Sequence, residues 1–426
     1  MILIKNGRVI DPLNKIDGIM DILVKDGKIV EVAEHIDEDK CHDTFEVIDA
    51  NGKIVAPGLV DVHVHFRDPG LTYKEDIHTG SSAAACGGFT TVVCMANTKP
   101  SIDSAEILTD LINREKELPI NVLNTANVTK KMQGKELTDF KALKDAGAIG
   151  LTDDGVPIKE ESLLVEAFKK AKELDLPISL HEEDPELIGS SGVNQGKISE
   201  KIGVLGAPAV AEHTLVARDC MLALEIGNKI DIQHISSGVS VAMVALAKKL
   251  GANVFAEVTP QHISLTEEAV LEKGTFAKVN PPIRTEEDRV ALIEGLKSGA
   301  IDMIATDHAP HSKDEKTKSI HEAPSGMIGL ETSLALCITN LVKKDHLTIS
   351  ELIEKMALNP AKFYNLDCGH LSKGANADIV IFDENEQWVV SEDSFHSKAS
   401  NSPFIGNKVY GKVKYTICNG KVVYRD

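Results

Sequence analysis

Leu59-Val60-Asp61-Val62-His63-Val64-His65-Phe66 is a strand-like run that carries two chemistries in alternation. Side chains alternate along a strand with period two, so His63 and His65 point to one side and Val60, Val62, Val64 and Phe66 to the other. Seven further apolar, β-rich runs follow, at residues 89–95, 120–125, 148–152, 177–181, 230–235, 253–258 and 301–306. Between them lie segments of helical periodicity, among them 104–117, 161–174, 211–226, 239–250 and 286–298, and one more, 329–342, follows the last run. Eight strands alternating with helices predict an α/β fold, a (β/α)8 TIM-type barrel over residues 56–365.

The two ends of the chain read differently. Residues 1–55 and 366–426 hold short strands separated by Asn6-Gly7, Asp26-Gly27, Asn51-Gly52 and Asn419-Gly420. These pairs tolerate positive φ and mark tight turns. The two ends are expected to form one small β-sandwich-like domain beside the barrel.

The net charge is −19, and no block of Lys or Arg occurs. That excludes nucleic acid and anionic membrane as partners, since both need basic surface. No apolar run is long enough to span a bilayer, and Met1–Gly7 is too soon interrupted for a signal peptide. The seven cysteines are scattered without a CxxC pair. Neither a disulfide scaffold nor a thiolate zinc site is expected, and a reducing, cytoplasmic compartment fits.

A barrel draws its active site from the C-terminal ends of several strands. Here those ends carry His63, His65 and Arg67, then Asn97, then Asp153-Asp154-Gly155, then His181, His234 and Asp307. A lone histidine near an apolar strand is ordinarily a hydrogen-bonded core residue, and a lone aspartate a turn or a cap. Four imidazoles and two carboxylates at one barrel mouth are hard to explain by packing. They suit two borderline-soft divalent ions bridged by a carboxylate, the equipment of amide hydrolysis. Strand phase leaves Asp153 and Asp154 open as the bridge. The polar stretch 311–326, placed just after Asp307, is expected to form a mobile lid.

At these residues the sequence resembles the amidohydrolase superfamily and, within it, the bacterial dihydroorotases. Asp61-Val62-His63-Val64-His65-Phe66-Arg67-Asp68-Pro69-Gly70 and Ala305-Thr306-Asp307-His308-Ala309-Pro310-His311 carry the likeness, supported by Gly88-Phe89-Thr90-Thr91 and Met95-Ala96-Asn97-Thr98. The resemblance spans essentially the whole chain. It implies two zinc ions, one held by His63, His65 and Asp307 and the other by His181 and His234, bridged by Asp154 and a hydroxide. It implies that Arg67 and Asn97 hold a substrate carboxylate, with further contacts from Asn280, His311 and the backbone of Ser325-Gly326. His65 joins that pocket, and Arg67 is expected there because it shares the strand face of the two histidines. Asp307 would shuttle the proton as the ring of dihydroorotate opens to N-carbamoyl-L-aspartate, or closes, in pyrimidine biosynthesis. A homodimer and association with aspartate carbamoyltransferase are further implications. His262, in Thr259-Pro260-Gln261-His262, is assigned only a structural or supporting place.

Two rivals remain. Dihydropyrimidinases, hydantoinases and allantoinases usually bridge their metals with a carboxylated lysine, and Ala148-Ile149-Gly150-Leu151-Thr152-Asp153-Asp154 has none. A catalytically dead scaffold would be expected to have lost ligands, and all six candidates are present.

Overall fold

The computed structural model describes residues 1–37, 45–189 and 192–426, so Cys41 lies outside the described residues. Five strands open the chain: β1 (Ile2–Asp11), β2 (Ile16–Lys25), β3 (Lys28–Ala33), β4 (Glu46–Asp49) and β5 (Ile54–Pro57). Seven lie in the middle: β6 (Leu59–Val64), β7 (Phe89–Cys94), β8 (Asn121–Asn124), β9 (Ile178–Leu180), β10 (Ile230–Ile232), β11 (Val254–Val258) and β12 (Met303–Ile304). Three close it: β13 (Ile379–Val389), β14 (Lys408–Cys418) and β15 (Lys421–Arg425).

The terminal strands form one sheet in the order β15-β14-β13-β5-β1-β2-β3, with β4 also paired to β1. One edge of β1 is shared: Ile2–Lys5 pair in parallel with β4, and Arg8–Val9 with β5. Strand β5 then pairs antiparallel with β13, which brings the two chain ends together. Ile4, Val9, Ile22, Val55, Ile379, Ile381 and Ile417 bury their side chains in a cluster of their own. Asp26-Gly27 and Asn419-Gly420 turn in the left-handed conformation, as expected. Asn6-Gly7 makes no turn. It lies inside β1, where Asn6 (φ 62°) forms a bulge and its N–H donates to Asp21 Oδ1 at 2.9 Å. A Cβ on Gly7 would stand 2.4 Å from Val55, so the close approach of β5 requires glycine there.

The middle strands are all parallel and form two sheets, β6-β7-β8 and β9-β10-β11-β12. Single bridges join these sheets, Ala126–Leu151–Ile178 at one seam and Val64–His308 at the other. The run at 148–152 therefore contributes one bridging residue, not a strand. Leu151 N–H donates to Pro177 O and Leu151 O accepts from Ser179, both at 2.9 Å. Two residues on, Asp153 accepts the N–H groups of Val128 (2.9 Å) and Thr129 (3.1 Å), which draws the chain out of the ladder.

The helices follow the sequence periodicity closely. Helix α1 (Ile77–Cys86) is capped by Asp76 and α2 (Ala105–Glu115) by Ser104, each side chain accepting a first-turn N–H. Glu161–Glu173, Val210–Ile226, Gly238–Leu250 and Glu286–Ser298 are helical, and the last expected helix, Ser333–Cys337, runs on as a wider π-type turn through Val342. Among the described residues no helix is long and apolar enough to cross a membrane. The six described cysteines are free thiols.

Glu115, at the end of α2, is buried and accepts Asn124 Nδ2 at 2.6 Å. Burial pushes its carboxyl up to about 8, against the opposing pull of Asn124 and Arg114. An acid raised in the folded state binds protons on folding, so it subtracts stability as pH rises from the usual carboxylate range through about 8. Glu115→Gln should leave the melting temperature nearly unchanged at pH 4 and raise it by a few degrees at pH 9, as read by differential scanning calorimetry.

Candidate metal centre

Of the six candidate ligands, all but Asp154 stand at or just past the end of a strand. His63 is the fifth residue of β6, and His65 follows its last. His181 directly follows β9, His234 lies two residues beyond β10, and Asp307 three beyond β12. Arg67, His234 and Asp307 have φ values of 58°, 33° and 46°, left-handed backbone that side chains rarely adopt. Arg67 therefore reaches the pocket through this turn and not, as strand alternation predicts, as a continuation of the strand: β6 stops at Val64.

Asp154 stands at the centre. Its Oδ1 lies 3.6 Å from His63 Nε2, 3.7 Å from His181 Nδ1 and 3.9 Å from His234 Nε2, and its Oδ2 lies 3.5 Å from His65 Nε2. Asp307 Oδ1 sits 3.0 Å from His65 Nε2 and 3.5 Å from His63 Nε2. Asp153 is turned away, its carboxylate spent on Val128 and Thr129. Burial disfavours charge on Asp154, yet the surrounding imidazoles, His63 foremost, hold its carboxyl well below the usual range. Burial, with His181 and His63 beside it, holds His234 well below the usual histidine value, so it stays neutral.

The residues fit a metal. His63 Nε2 is buried, has no hydrogen-bond partner, and faces two carboxylates at distances too long for hydrogen bonds. Zn–N and Zn–O bonds of about 2.0–2.1 Å place two ligands of a tetrahedral ion roughly 3.4 Å apart. His63, His65 and Asp154 form one group with mutually close donor atoms; Asp154, His181 and His234 form another. The two groups share Asp154, as a bridging carboxylate requires.

Several residues that hold this arrangement were not singled out in the sequence. Glu257 Oε1 lies 2.5 Å from His63 Nδ1 and also accepts the His234 N–H, which fixes one imidazole and the turn carrying another. Asp61 accepts the N–H groups of His63 (3.0 Å) and Thr306 (3.2 Å), tying the first barrel strand to the last. His65 N–H donates to His308 O across the same seam. The available signal was a carboxylate inside an otherwise apolar run, in Val254–Val258 and again in Leu59–Val64.

On the solvent side, Arg67, Asn97, Asn280, His311, Ser325 and Gly326 join the ligand side chains around a recess of about 180 Å³. Asn97 already bonds His65 Nδ1 (3.0 Å) and Asp154 Oδ2 (2.8 Å), so it braces both. Asn280 Oδ1 is buried and unpartnered. Burial, and then Arg67 and Lys74 alongside, lower His311 to about 2; Lys74 Nζ sits 3.1 Å from its Nδ1, and its Nε2 donates to Ser325 O. The Gly326 amide, one of the two expected backbone contacts, is already donated to Lys278 O. Residues 311–326 are not an extended polar loop. Ser312 and Glu315 cap a short helix, Lys313–Lys316, and the buried Lys316 ammonium donates to Pro324 O and Gly326 O. His262 is structural, its ring held between Thr259 Oγ1 and Pro281 O.

The chain is 59% identical, over the full length of both chains, to the dihydroorotase of Clostridioides difficile (strain 630). The chain belongs to the dihydroorotase family. The family model described as Dihydro-orotase-like matches residues 52–240, and one described as Amidohydrolase family matches 327–424. Similar relatives include the dihydroorotases of Clostridium acetobutylicum (56% identity, all of both chains) and Lactococcus lactis subsp. lactis (53%, 100% of this chain and 99% of that one). Among solved structures, L-hydantoinase (dihydropyrimidinase) from Arthrobacter aurescens matches all of this chain and 96% of its own, with a TM-score of 0.89 and 28% identity. A D-hydantoinase matches with a TM-score of 0.86 and 25% identity, over 100% and 95% of the two chains. The fold is thus that of the TIM-barrel cyclic amidohydrolases, and members of this family are metal-dependent enzymes of that class.

Two substitutions separate the roles described here. Asp154→Asn should cost most of the bound metal in elemental analysis, whereas Asp153→Asn should keep the metal and lower thermal stability. Glu257→Gln should weaken metal binding by roughly 10–100-fold, measured by competition with a chelator.

Proposed function

We propose that this chain catalyses the reversible hydrolysis of (S)-dihydroorotate to N-carbamoyl-L-aspartate in pyrimidine biosynthesis, with two zinc ions per subunit. His63, His65 and Asp307 would hold one ion and His181 and His234 the other, with Asp154 between them. When bound, the ions activate a water and polarise the scissile ring carbonyl. Asp307, beside His65, takes the proton of the attacking water and returns a proton to the departing ring nitrogen. In the synthetic direction it takes the proton of the attacking carbamoyl nitrogen and returns a proton to the departing oxygen.

One observation carries the choice of substrate. The Arg67 guanidinium opens into the recess; its Nε donates to Pro310 O at 3.3 Å, one terminal nitrogen lies 3.5 Å from the His311 ring, and among the described residues it makes no ion pair. A planar guanidinium without a carboxylate partner, beside a metal centre, suits an anionic ring better than a neutral one. Asn280 Oδ1 offers an acceptor for a ring N–H, and His311 and Ser325 line the same wall. Asp68, the alternative partner for Arg67, is taken by Arg114 at 2.8 Å.

On this proposal the chain divides into a β domain, residues 1–55 and 366–426, and a catalytic barrel, residues 56–365. An apolar cluster drawn wholly from the two end segments supports that division, while Ile10, Ile54, Val380 and Phe382 join those segments to the barrel's own cluster. The proposed setting is the cytoplasm. A homodimer and partnership with aspartate carbamoyltransferase rest on the family likeness alone.

The test is turnover by the zinc-loaded protein of dihydroorotate, dihydrouracil, hydantoin and allantoin in parallel. Dihydroorotate alone should react, and Asp307→Asn should abolish the reaction. Turnover of a neutral ring with dihydroorotate ignored would overturn the substrate. Arg67→Lys should raise KM for dihydroorotate by about tenfold or more, because one ammonium cannot replace a bidentate fork.

A further inference from the structure

A second cavity, larger than the recess at the metal centre, lies on another part of the molecule. It measures about 320 Å³, shares no lining residue with that recess, and lies where α1 meets β13, β14 and β15. Trp388, Phe395, Leu334 and Val413 give it apolar walls. Three side chains of different chemistry converge at one end: Cys86 from the last turn of α1, Glu331 from the segment before Ser333, and His396 from the loop before β14. The Cys86 sulfur, a Glu331 oxygen and a ring nitrogen of His396 all lie within 4.8 Å of one another.

This end of the cavity is built. The Glu331 side chain is only 5% exposed and is pinned by three donors: the His396 N–H at 2.6 Å, His396 Nδ1 at 3.1 Å and the Ser397 N–H at 3.2 Å. The His396 ring is thereby oriented, and the Tyr424 ring meets it edge-on at 5.8 Å. Cys86 is half-buried and lines this end of the cavity together with His396 and Tyr424. Among the described residues Cys86 is the one cysteine in such a group, and burial pushes the thiols of Cys94, Cys220, Cys337, Cys368 and Cys418 up.

We propose that Cys86, Glu331 and His396 form a second, mononuclear cation site that takes a borderline-soft divalent ion such as Zn²⁺. A thiolate, an imidazole and a carboxylate are the three ligand types such an ion accepts together. Three protein ligands leave a fourth position, and here that position faces the cavity. Tyr424 braces the imidazole ligand, its ring edge-on to His396, the kind of outer support that metal ligands commonly have. The site escapes a search for spaced cysteine motifs because its ligands come from residues 86, 331 and 396, brought together only when the C-terminal strands pack on α1.

The test uses cobalt, because a thiolate bound to Co²⁺ gives a near-ultraviolet charge-transfer band that His and Asp ligands do not. Full-length protein, stripped with a chelator and reloaded with Co²⁺, should show that band. Trp388, the single tryptophan of the chain, should be quenched in step with it. Cys86→Ser should abolish the band while the ring-opening activity persists, which shows that the fold and the other centre survive. His396→Gln should weaken the cobalt affinity behind the band by about tenfold or more. Absence of the band in the parent protein would overturn the proposal. A band that persists in Cys86→Ser would do the same, since it would assign the thiolate to another cysteine such as Cys41.

Discussion

Two carboxylates and four imidazoles crowd one recess, and a divalent cation between them is the partner that suits both kinds of donor. Charge buried without a partner costs several kcal/mol, about what a domain can spare. Asp154 and Asp307 lie among His63, His65, His181 and His234 at separations of mostly 3.5–3.9 Å, too long for hydrogen bonds. The one short contact, Asp307 to His65 at 3.0 Å, cannot neutralise both acids. The spacing of these donors fits a metal, and the surrounding barrel holds that spacing.

The holding is done at the seams. The barrel is closed by single bridges where a continuous ladder is expected, and those seams carry the ligands: Val64–His308 lies between His63, His65 and Asp307, and Leu151 lies three residues before Asp154. A full ladder would fix the backbone in extended form. The open seams let Asp307 adopt a left-handed φ and let Asp153 pull its segment outward, which leaves Asp154 aimed inward. Asp61 and Glu257 compensate for the missing ladder bonds by accepting backbone N–H groups beside the ligands.

The β sheet built by the chain ends touches this arrangement from outside. Glu331 holds the loop at His396 and Ser397, the Ser397 hydroxyl bonds Glu75, and Glu75 lies 3.5 Å from His308 Nε2. His308 O in turn accepts the His65 N–H at 2.9 Å. The cavity that holds Cys86 and the metal centre are thus ends of one run of contacts.

The sequence by itself determined the fold class, the ligand types and the strand ends they occupy, because period-two alternation and turn chemistry are local properties. It placed His63 and His65 on one face, and it placed His181, His234 and Asp307 at the ends of the fifth, sixth and eighth runs. Only the tertiary structure turned the Asp153 carboxylate away from the histidines and the Asp154 carboxylate towards them, because the partners of Asp153 are Val128 and Thr129, some 24 residues away. It alone turned Asn6-Gly7 into a bulge, since β2, β4 and β5 all pair with β1 around it. It alone brought Cys86, Glu331 and His396 together, because contacts between residues hundreds of positions apart depend on how the sheet packs and leave no periodic trace along the chain.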